Sequence, residues 1–447
     1  MIAKKVMQRN RVSKKFNSRQ SAALDLLEWD QKGVMVYRSR EDLATPQEYS
    51  LYRNLVSSVI RHKGKYAFFI EVLTNRSLEK LDREVLICLL LGLAQLDQLT
   101  GMHEYAAVNE TVELISFFKK NRLKGFINGN LRSFLRRREE LKVKLAAQPL
   151  PVRSSHPEWM VKRWQNQYGK ETTGKICDAN NLLPRVRVVL NPAFERASIE
   201  ADLKSRYEID EWHAEGFTLD NPTGLFETHW VEKGALLVQD HSSQQINHLI
   251  HTLPKTHVLD ACASPGGKLF HMEWRYENDI DQLVALEISE ARLKRLKANK
   301  KRYRSQAQLV RMDASRPALK TDFDLVLVDA PCSATGTIQK HPELKWQRSE
   351  TDIIQNQQKQ LSILNGLSEV VKVNGYLLYM TCSLEKEENQ EVIQKFLEGQ
   401  SHKYNQIPFS SAQVDKKHLT SDGFFQLLPQ ESSMGLFAAL LQRTAQE

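Results

Sequence analysis

The 447-residue chain predicts a multidomain fold: an all-α N-terminal domain, a small α+β subdomain and a C-terminal open α/β domain. Three observations carry this reading. Up to about residue 145, apolar residues recur at helical spacing and no hairpin signal interrupts them. From about residue 180, a strand, a helix and a second strand follow within some sixty residues. From about residue 240, strand-length apolar runs alternate with helical patterns, which implies a mainly parallel sheet with helices on both faces.

Taken in order, Ser18 to Trp29 places Ala22, Ala23, Leu26 and Leu27 on one helical face. Leu81 to Leu99 opens with Asp82-Arg83-Glu84 and turns strongly apolar, as a buried helix does. Glu104 to Phe118 and Leu123 to Arg138 read as two further helices. The charged and then Pro-containing stretch Glu139 to Ser155 reads as a helix end and a linker. Glu158 to Tyr168 reads as a helix with Trp159 and Trp164 turned inward. The subdomain follows as strand Val186–Leu190, helix Ser198–Tyr207, and a turn and strand within Trp230–Val238. In the α/β region the expected strands are Val258–Cys262, Gln282–Leu286, Gln308–Arg311, Leu325–Val328 and Tyr376–Met380. The helices between them include Ser289–Arg302 and Asp352–Val371. The expected domain spans are 1–145, a helical linker 146–180, the subdomain 181–235 and the catalytic domain 236–447.

Composition narrows the class. A hydrophobic fraction of 41% and a charged fraction of 26% are ordinary for a soluble globular protein. No apolar run approaches the roughly 18 residues of a membrane helix. The formal charge of +9 favours a polyanionic partner, with nucleic acid first. Lys4, Lys5, Arg9, Arg11, Lys14, Lys15 and Arg19 form a basic N-terminal arm ahead of the first acid, Asp25. The basic run Arg292 to Arg304 could touch RNA phosphates but reads first as the solvated face of an outer helix, and the N-terminal arm is the better RNA candidate. Five cysteines without a Cys-x-x-Cys pair or a His/Cys cluster imply neither a zinc site nor a disulfide framework. Cys88 sits inside an apolar helical run and reads as core; Cys177 has no recognisable context.

The chemistry concentrates at strand ends, where open α/β sheets bind ligands. Val258 to Lys268 runs from an apolar strand through Cys262-Ala263-Ser264-Pro265 into Gly266-Gly267-Lys268 and a helix start. Small side chains let backbone approach a ligand, and the helix start offers free N–H groups. The segment is neither the dinucleotide fingerprint nor a P-loop. Alone, it is equally compatible with a tight structural turn. Glu287, at the next strand end, is placed to accept from ribose hydroxyls, and Asp313, after the third, from an exocyclic amine of adenine. With Lys268 available for a carboxylate, the set describes adenosine joined to an amino acid, which is S-adenosylmethionine. Two further strand ends carry thiols: Asp329-Ala330-Pro331-Cys332 and Thr381-Cys382. A thiolate adding to C6 of a pyrimidine makes C5 nucleophilic, an acid at N3 stabilises the charge, and a base then takes the C5 proton. Two thiols and Asp329 suit that reaction, and residue order leaves open which thiol attacks.

At these residues the chain resembles the Nol1/Nop2/Sun family of RNA cytosine-C5 methyltransferases. The resemblance rests on Asp260–Lys268, Asp329–Gly336, His341-Pro342-Glu343-Leu344-Lys345-Trp346, and Thr381-Cys382-Ser383 followed by Glu387-Glu388-Asn389. Val231 to Gln244 is similar to the strand by which the family enters its catalytic domain. Ala106–Leu114 and Gly125–Arg132 resemble the RNA-binding domain of the antitermination factor NusB, a pairing characteristic of the bacterial Sun/Fmu branch. The resemblance implies a NusB-like domain, a ferredoxin- or RRM-like subdomain and a Rossmann-like class I methyltransferase domain. It implies methylation of cytosine 967 of 16S ribosomal RNA by a cytoplasmic monomer with no membrane partner and no metal. Transfer RNA as substrate, or a non-catalytic RNA-binding assembly role, are the alternatives. Carried over, Cys262, Ala263, Ser264, Pro265, Gly266, Gly267, Lys268, Glu287, Asp313 and Asp329 hold S-adenosylmethionine, and Asp329 also faces the cytosine. Cys382 is implied as nucleophile and Cys332 as the group that helps release product. Glu287 stands where aspartate is commoner in the family.

Overall fold

The computed structural model describes residues 16–98, 103–411 and 413–445. The chain divides into two compact units: the residues up to Asn181 together with His341–Gln347, and Leu182–Lys340 together with Arg348 onward.

Among its described residues the first unit has helices and turns and no strand. Its helices are α1 (Ser18–Lys32), α2 (Pro46–Arg61), α3 (Lys63–Thr74), α4 (Arg83–Gln98), α5 (Glu104–Phe117), α6 (Lys124–Ala146), the single turn α7 (Leu150–Arg153) and α8 (Glu158–Asn181). Asn17 starts α1 through a capping box with Gln20, and Gly33 stops it in the left-handed region. Helix α4 is apolar nearly all round, so it lies at the centre and touches α1, α2, α3, α5 and α6. Cys88 is fully buried there, and burial pushes its thiol up to about 12. Cys177 on α8 is also core, pushed up to about 11 by burial.

Several expectations are corrected here. The helix expected to stop at Arg138 runs on to Ala146, because Leu141 is fully buried, so the helix end falls later within the Glu139–Ser155 stretch. The helix expected to end at Tyr168 breaks at Gly169 (φ 79°) and then runs on to Asn181, with Ile176 and Cys177 buried. Trp164 is fully buried and Trp159 only half-buried. The arm residues Lys4, Lys5, Arg9, Arg11, Lys14 and Lys15 lie outside the described residues. Arg19 belongs to α1, where it donates to Gln95 Oε1 at 2.8 Å and lies 3.7 Å from Glu110.

The segment His341–Gln347, which contains α14 (Leu344–Gln347), packs into this unit. Lys345 is fully buried and donates to the carbonyls of Arg61 and Ser155 and to Asn181 Oδ1 at 3.0, 3.2 and 2.7 Å. Arg61 and Asn181 end α2 and α8, so one ammonium serves backbone and side-chain acceptors at helix C-termini. Trp346 Nε1 donates to the Ile60 carbonyl beside it.

The second unit holds two sheets. The small one is antiparallel in the order β2-β3-β1-β4, from β1 (Val186–Leu190), β2 (Glu211–His213), β3 (Gly216–Leu219) and β4 (Leu236–Val238). Helix α9 (Arg196–Arg206) packs Ile199 and Leu203 against Val188, Phe217 and Leu219. The single turn α10 (His229–Glu232) precedes β4. Because Val188 pairs with Val238, the strand placed after the expected boundary at residue 235 completes the small sheet.

The large sheet has the order β10-β12-β9-β8-β5-β6-β7, with β11 on β12. Five strands are parallel: β5 (His257–Asp260), β6 (Gln282–Leu286), β7 (Gln308–Val310), β8 (Phe323–Asp329) and β9 (Val371–Thr381). Three more, β10 (Tyr404–Ile407), β11 (Phe425–Leu427) and β12 (Leu436–Arg443), are antiparallel and were not expected from the alternation. The helices are α11 (His241–Leu249), α12 (Gly267–Arg275), α13 (Glu290–Tyr303), α15 (Glu350–Leu367) and α16 (Gln390–Gln400). The helix expected to reach Val371 stops at Leu367, and Val371 already pairs with Phe323 in the sheet. Both faces are covered: Val258, Leu325, Leu327 and Leu378 face one core, and Leu259, Val326, Val328 and Leu377 the other. Among the described residues no helix is long and apolar enough to cross a membrane.

Candidate active site

The strand order turns at β5, from which β6 and β7 lie to one side and β8 and β9 to the other. A ligand crevice belongs outside the carboxyl ends of the strands at such a point. A cleft of about 590 Å³ opens there, within the second unit. Cys262, Ser264, Glu287, Asp313, Asp329, Cys332 and Cys382 all line it, so five strand ends converge as the sequence expects. Ala263, Pro265, Gly266 and Gly267 shape the turn above β5 rather than the cleft wall. Gly266 has φ 104°, and a Cβ there would stand 2.2 Å from the buried Phe270 ring. That position requires glycine on both counts.

Lys268 meets a carboxylate of the chain itself. Its ammonium, two residues into the turn's helix, reaches the end of β8 and bonds Asp329 Oδ2 at 2.6 Å. Burial disfavours the ammonium, but the Asp329 carboxylate outweighs it and leaves the lysine pKa raised. Asp260 lies beneath the same loop and accepts from the Cys262 N–H at 3.3 Å. Burial, followed by the Asp329 charge, pushes its carboxyl up to about 7. Glu287 is buried and accepts from the Ser289 N–H at 2.8 Å. Asp313 is exposed and held below the usual carboxylate range by the N–H and hydroxyl of Ser315.

The two thiols meet. Cys332 Sγ and Cys382 Sγ are 3.4 Å apart although fifty positions separate them. The Cys382 sulfur, with burial, pushes the Cys332 thiol well up, so position 332 holds its proton. Burial pushes the Cys262 thiol up as well, and it stands apart from this pair as an ordinary thiol.

Beneath the thiols lies a polar floor that sequence reasoning missed. Ser333, Thr335, Gln360, Thr381, Ser383, Glu388 and Asn389 are all at most 1% exposed. The Glu388 carboxylate accepts from the Ser333 N–H (2.7 Å), the Ser333 hydroxyl, the Ser383 hydroxyl and Gln360 Nε2 (3.3 Å). Asn389 donates to the Ser383 carbonyl at 2.9 Å and accepts from the Thr381 hydroxyl. One side chain therefore ties the residue after Cys332 to the residue after Cys382. Burial raises the Glu388 pKa. Gly336 closes the clamp: its N–H donates to the Cys382 carbonyl at 2.9 Å, and a Cβ would stand 2.8 Å from that oxygen. The residues Glu387-Glu388-Asn389 were visible after the Cys382 strand as part of the family resemblance; the burial of Glu388 and Asn389 was not. Ile288, Met312, Arg348 and Lys359 also line the cleft and carried no sequence signal, and Arg292, the first cation of the basic run, joins them there.

Comparison with known proteins gives this arrangement a family. The model described as 16S rRNA methyltransferase RsmB/F matches residues 248–442, that of the NusB family residues 16–136, and an RsmF/B-like ferredoxin-like domain residues 156–224. Ribosomal RNA small subunit methyltransferase B of Salmonella paratyphi C (strain RKS4594) is 33% identical over 362 residues, 79% of this chain and 82% of that protein. The protein of that name from Escherichia coli O9:H4 (strain HS) is 34% identical over the same coverage. The solved structure of PH0851 matches in fold with a TM-score of 0.73 at 21% identity, covering 96% of this chain and 100% of that one. With a NusB domain, a small ferredoxin-like domain, a Rossmann-like sheet and relatives above 30% identity, the chain belongs to the RsmB/F family of S-adenosylmethionine-dependent 16S rRNA methyltransferases.

Proposed function

We propose that this protein methylates C5 of a cytosine in 16S ribosomal RNA, the family position 967, through a covalent Cys382–C6 adduct. The observation that carries the reading is the 3.4 Å sulfur pair at the ends of β8 and β9, in one cleft with Asp329 and the acids of β6 and β7. That donor set fits S-adenosylmethionine: Glu287 for ribose hydroxyls, Asp313 for the adenine amine, Ile288 and Met312 for the purine faces, and the 262–268 turn for the amino-acid end. When bound, S-adenosylmethionine supplies an electrophilic methyl group.

The protein's own residues do the rest. The target base is flipped out of any stack, because C6 must be approached from its face. The Cys382 thiolate bonds to C6, and the electron pair of the C5–C6 bond shifts toward C5, N3 and O2. Asp329 accepts from the cytosine 4-amino group, and the Lys268 ammonium bonded to it offsets the negative charge that develops along the N3 edge. Cys332 keeps its proton first of all because the Cys382 sulfur lies beside it. Once that sulfur is bonded to carbon, its hold on the 332 proton ends; Cys332 gives that proton to solvent and, as a thiolate, takes the C5 proton. The C6–S bond then breaks and the thiolate at 382 returns. The NusB-like helices contribute RNA binding, and the work belongs to the cytoplasm.

The test uses two variants. Cys382→Ala abolishes methyl transfer to unmethylated 16S RNA while S-adenosylmethionine still binds by calorimetry. Cys332→Ala accumulates an enzyme–RNA adduct, seen as a retarded band on a denaturing gel. Transfer by the first variant, or a 5-methylcytosine map unchanged in a deletion strain, overturns the reading.

A further inference from the structure

Helix α13 carries Arg292, Lys294, Arg295, Lys297, Lys300, Lys301 and Arg302, with Arg304 at its C-cap, against a single acid, Glu290. All but the half-buried Lys300 are exposed, while Leu293, Leu296 and Tyr303 face the core. The sequence alone favours a solvated outer face. Other basic helices of this chain show what such a face looks like. On α9, Arg196 and Lys204 both pair with Glu200, and Arg206 pairs with Asp202. On α6, Arg137, Lys142 and Lys144 pair with Glu139 and Glu140. On α13, among the described residues, only Lys294 has a carboxylate within ion-pair distance, Glu290 at 3.3 Å.

The remaining cations stand at i,i+3 and i,i+4 to one another, an arrangement that repels. The helix dipole accounts for Lys300, Lys301 and Arg302 in the last turn. It does not account for Arg292, Lys294, Arg295 and Lys297, which lie toward the end where cations are disfavoured. Lys297, Lys300, Lys301 and Arg304 converge on a hollow of about 290 Å³ with Ser305 and Gln306. Glu273, which accepts from the Gln306 N–H beside this hollow, pairs with none of the four.

The position of the helix is as telling as its charge. Its first turn borders the donor cleft, which Arg292 lines, and the Ser264 hydroxyl donates to the Arg292 carbonyl at 3.1 Å. Asn299 holds the Pro265 carbonyl at 2.9 Å. At the other end the Arg304 guanidinium lies 6.0 Å from the Phe194 ring of the small subdomain. At about 1.5 Å per residue, the stripe from 292 to 304 spans roughly 18 Å from cleft to small sheet.

We propose that α13 is the phosphodiester track along which substrate RNA reaches the cleft, its backbone phosphates neutralising the unpaired cations. This rests on ribosomal RNA being the substrate. The test compares the full-length protein with Arg295→Ala/Lys297→Ala/Lys301→Ala, whose alanines suit a helix. Unmethylated 16S RNA transcript is titrated by filter binding from 50 to 300 mM KCl. Losing three phosphate contacts lowers the slope of log affinity against log salt by about 2, and weakens binding roughly ten- to hundredfold at intermediate salt. S-adenosylmethionine affinity by calorimetry stays within twofold. A charge-conserving Arg295→Lys/Lys297→Arg/Lys301→Arg protein keeps the wild-type slope. A triple-alanine slope equal to wild type overturns the track alone. A wild-type protein that shows no salt-dependent binding to the transcript overturns the ribosomal RNA reading and the track with it.

Discussion

Glu388 offers the sharpest test of how the two thiols are held. Replacing it with alanine removes the acceptor of four donors. The Ser333 and Ser383 hydroxyls retain each other at 3.1 Å, and Ser383 Oγ still accepts from the Glu385 N–H at 3.0 Å. The Ser333 N–H has no such substitute, and a cavity opens beneath it. An orphaned buried donor plus that cavity costs about 3–5 kcal/mol together, a fall in Tm of roughly 6–15 °C. Glu388→Gln keeps the volume and one oxygen and should cost about 1–2 kcal/mol. The distinguishing readout is kinetic. Glu388 lies among Ser333, Ser383 and Gln360 and touches none of the residues assigned to S-adenosylmethionine. Glu388→Gln should therefore leave S-adenosylmethionine affinity within twofold, while a sub-ångström shift of the sulfurs lowers kcat by about a hundredfold. Tritium transfer from labelled S-adenosylmethionine, with calorimetry and thermal melts on the same preparation, reads all three. A Glu388→Gln protein with lowered Tm and wild-type kcat would show that the carboxylate only stabilises the fold and does not position the thiols.

Further expectations follow from other buried groups. Asp260 has a folded pKa of about 7 against an ordinary 3.8, so the folded state binds its proton more tightly than the unfolded one. The stability tied to it is complete below pH about 4 and falls as pH rises through about 7, by up to about 4 kcal/mol. Asp260→Asn should remove that part of the slope in urea titrations, and an unchanged slope would refute the assignment. Gly266→Ala combines a positive φ with a 2.2 Å approach to Phe270. It should cost about 2–5 kcal/mol and weaken S-adenosylmethionine binding at least tenfold; calorimetry showing wild-type affinity would sink this. Lys345→Met strands three buried acceptors in the helical unit and should lower its stability by about 3 kcal/mol, read by circular dichroism melts. An unchanged melting profile would mean that the acceptors find other partners.

How much was legible in the chain depends on the range of the physics involved. The pattern of apolar residues marked the helices around Cys88 and the strands expected at Gln282–Leu286 and Leu325–Val328, because burial on one or both faces writes a period into neighbouring positions. The antiparallel strands near the C-terminus escaped, since β12 reads as a plain apolar run whose direction is set only by pairing with β9. A helical linker over 146–180 was readable in outline, but the break at Gly169 within it and the burial of Ile176 and Cys177 beyond it were not.

The order of motifs at strand ends by itself determined the type of site: a glycine turn, Glu287, Asp313, Asp329 and two cysteines, each local to a few residues. Only the tertiary structure decided that the sulfurs lie 3.4 Å apart, that Lys268 answers to Asp329, and that Glu388 clamps both loops. Those facts depend on which strands become neighbours and on which acids lose contact with water. A sheet order that turns at β5 is a property of the whole chain, carried by no short stretch of it.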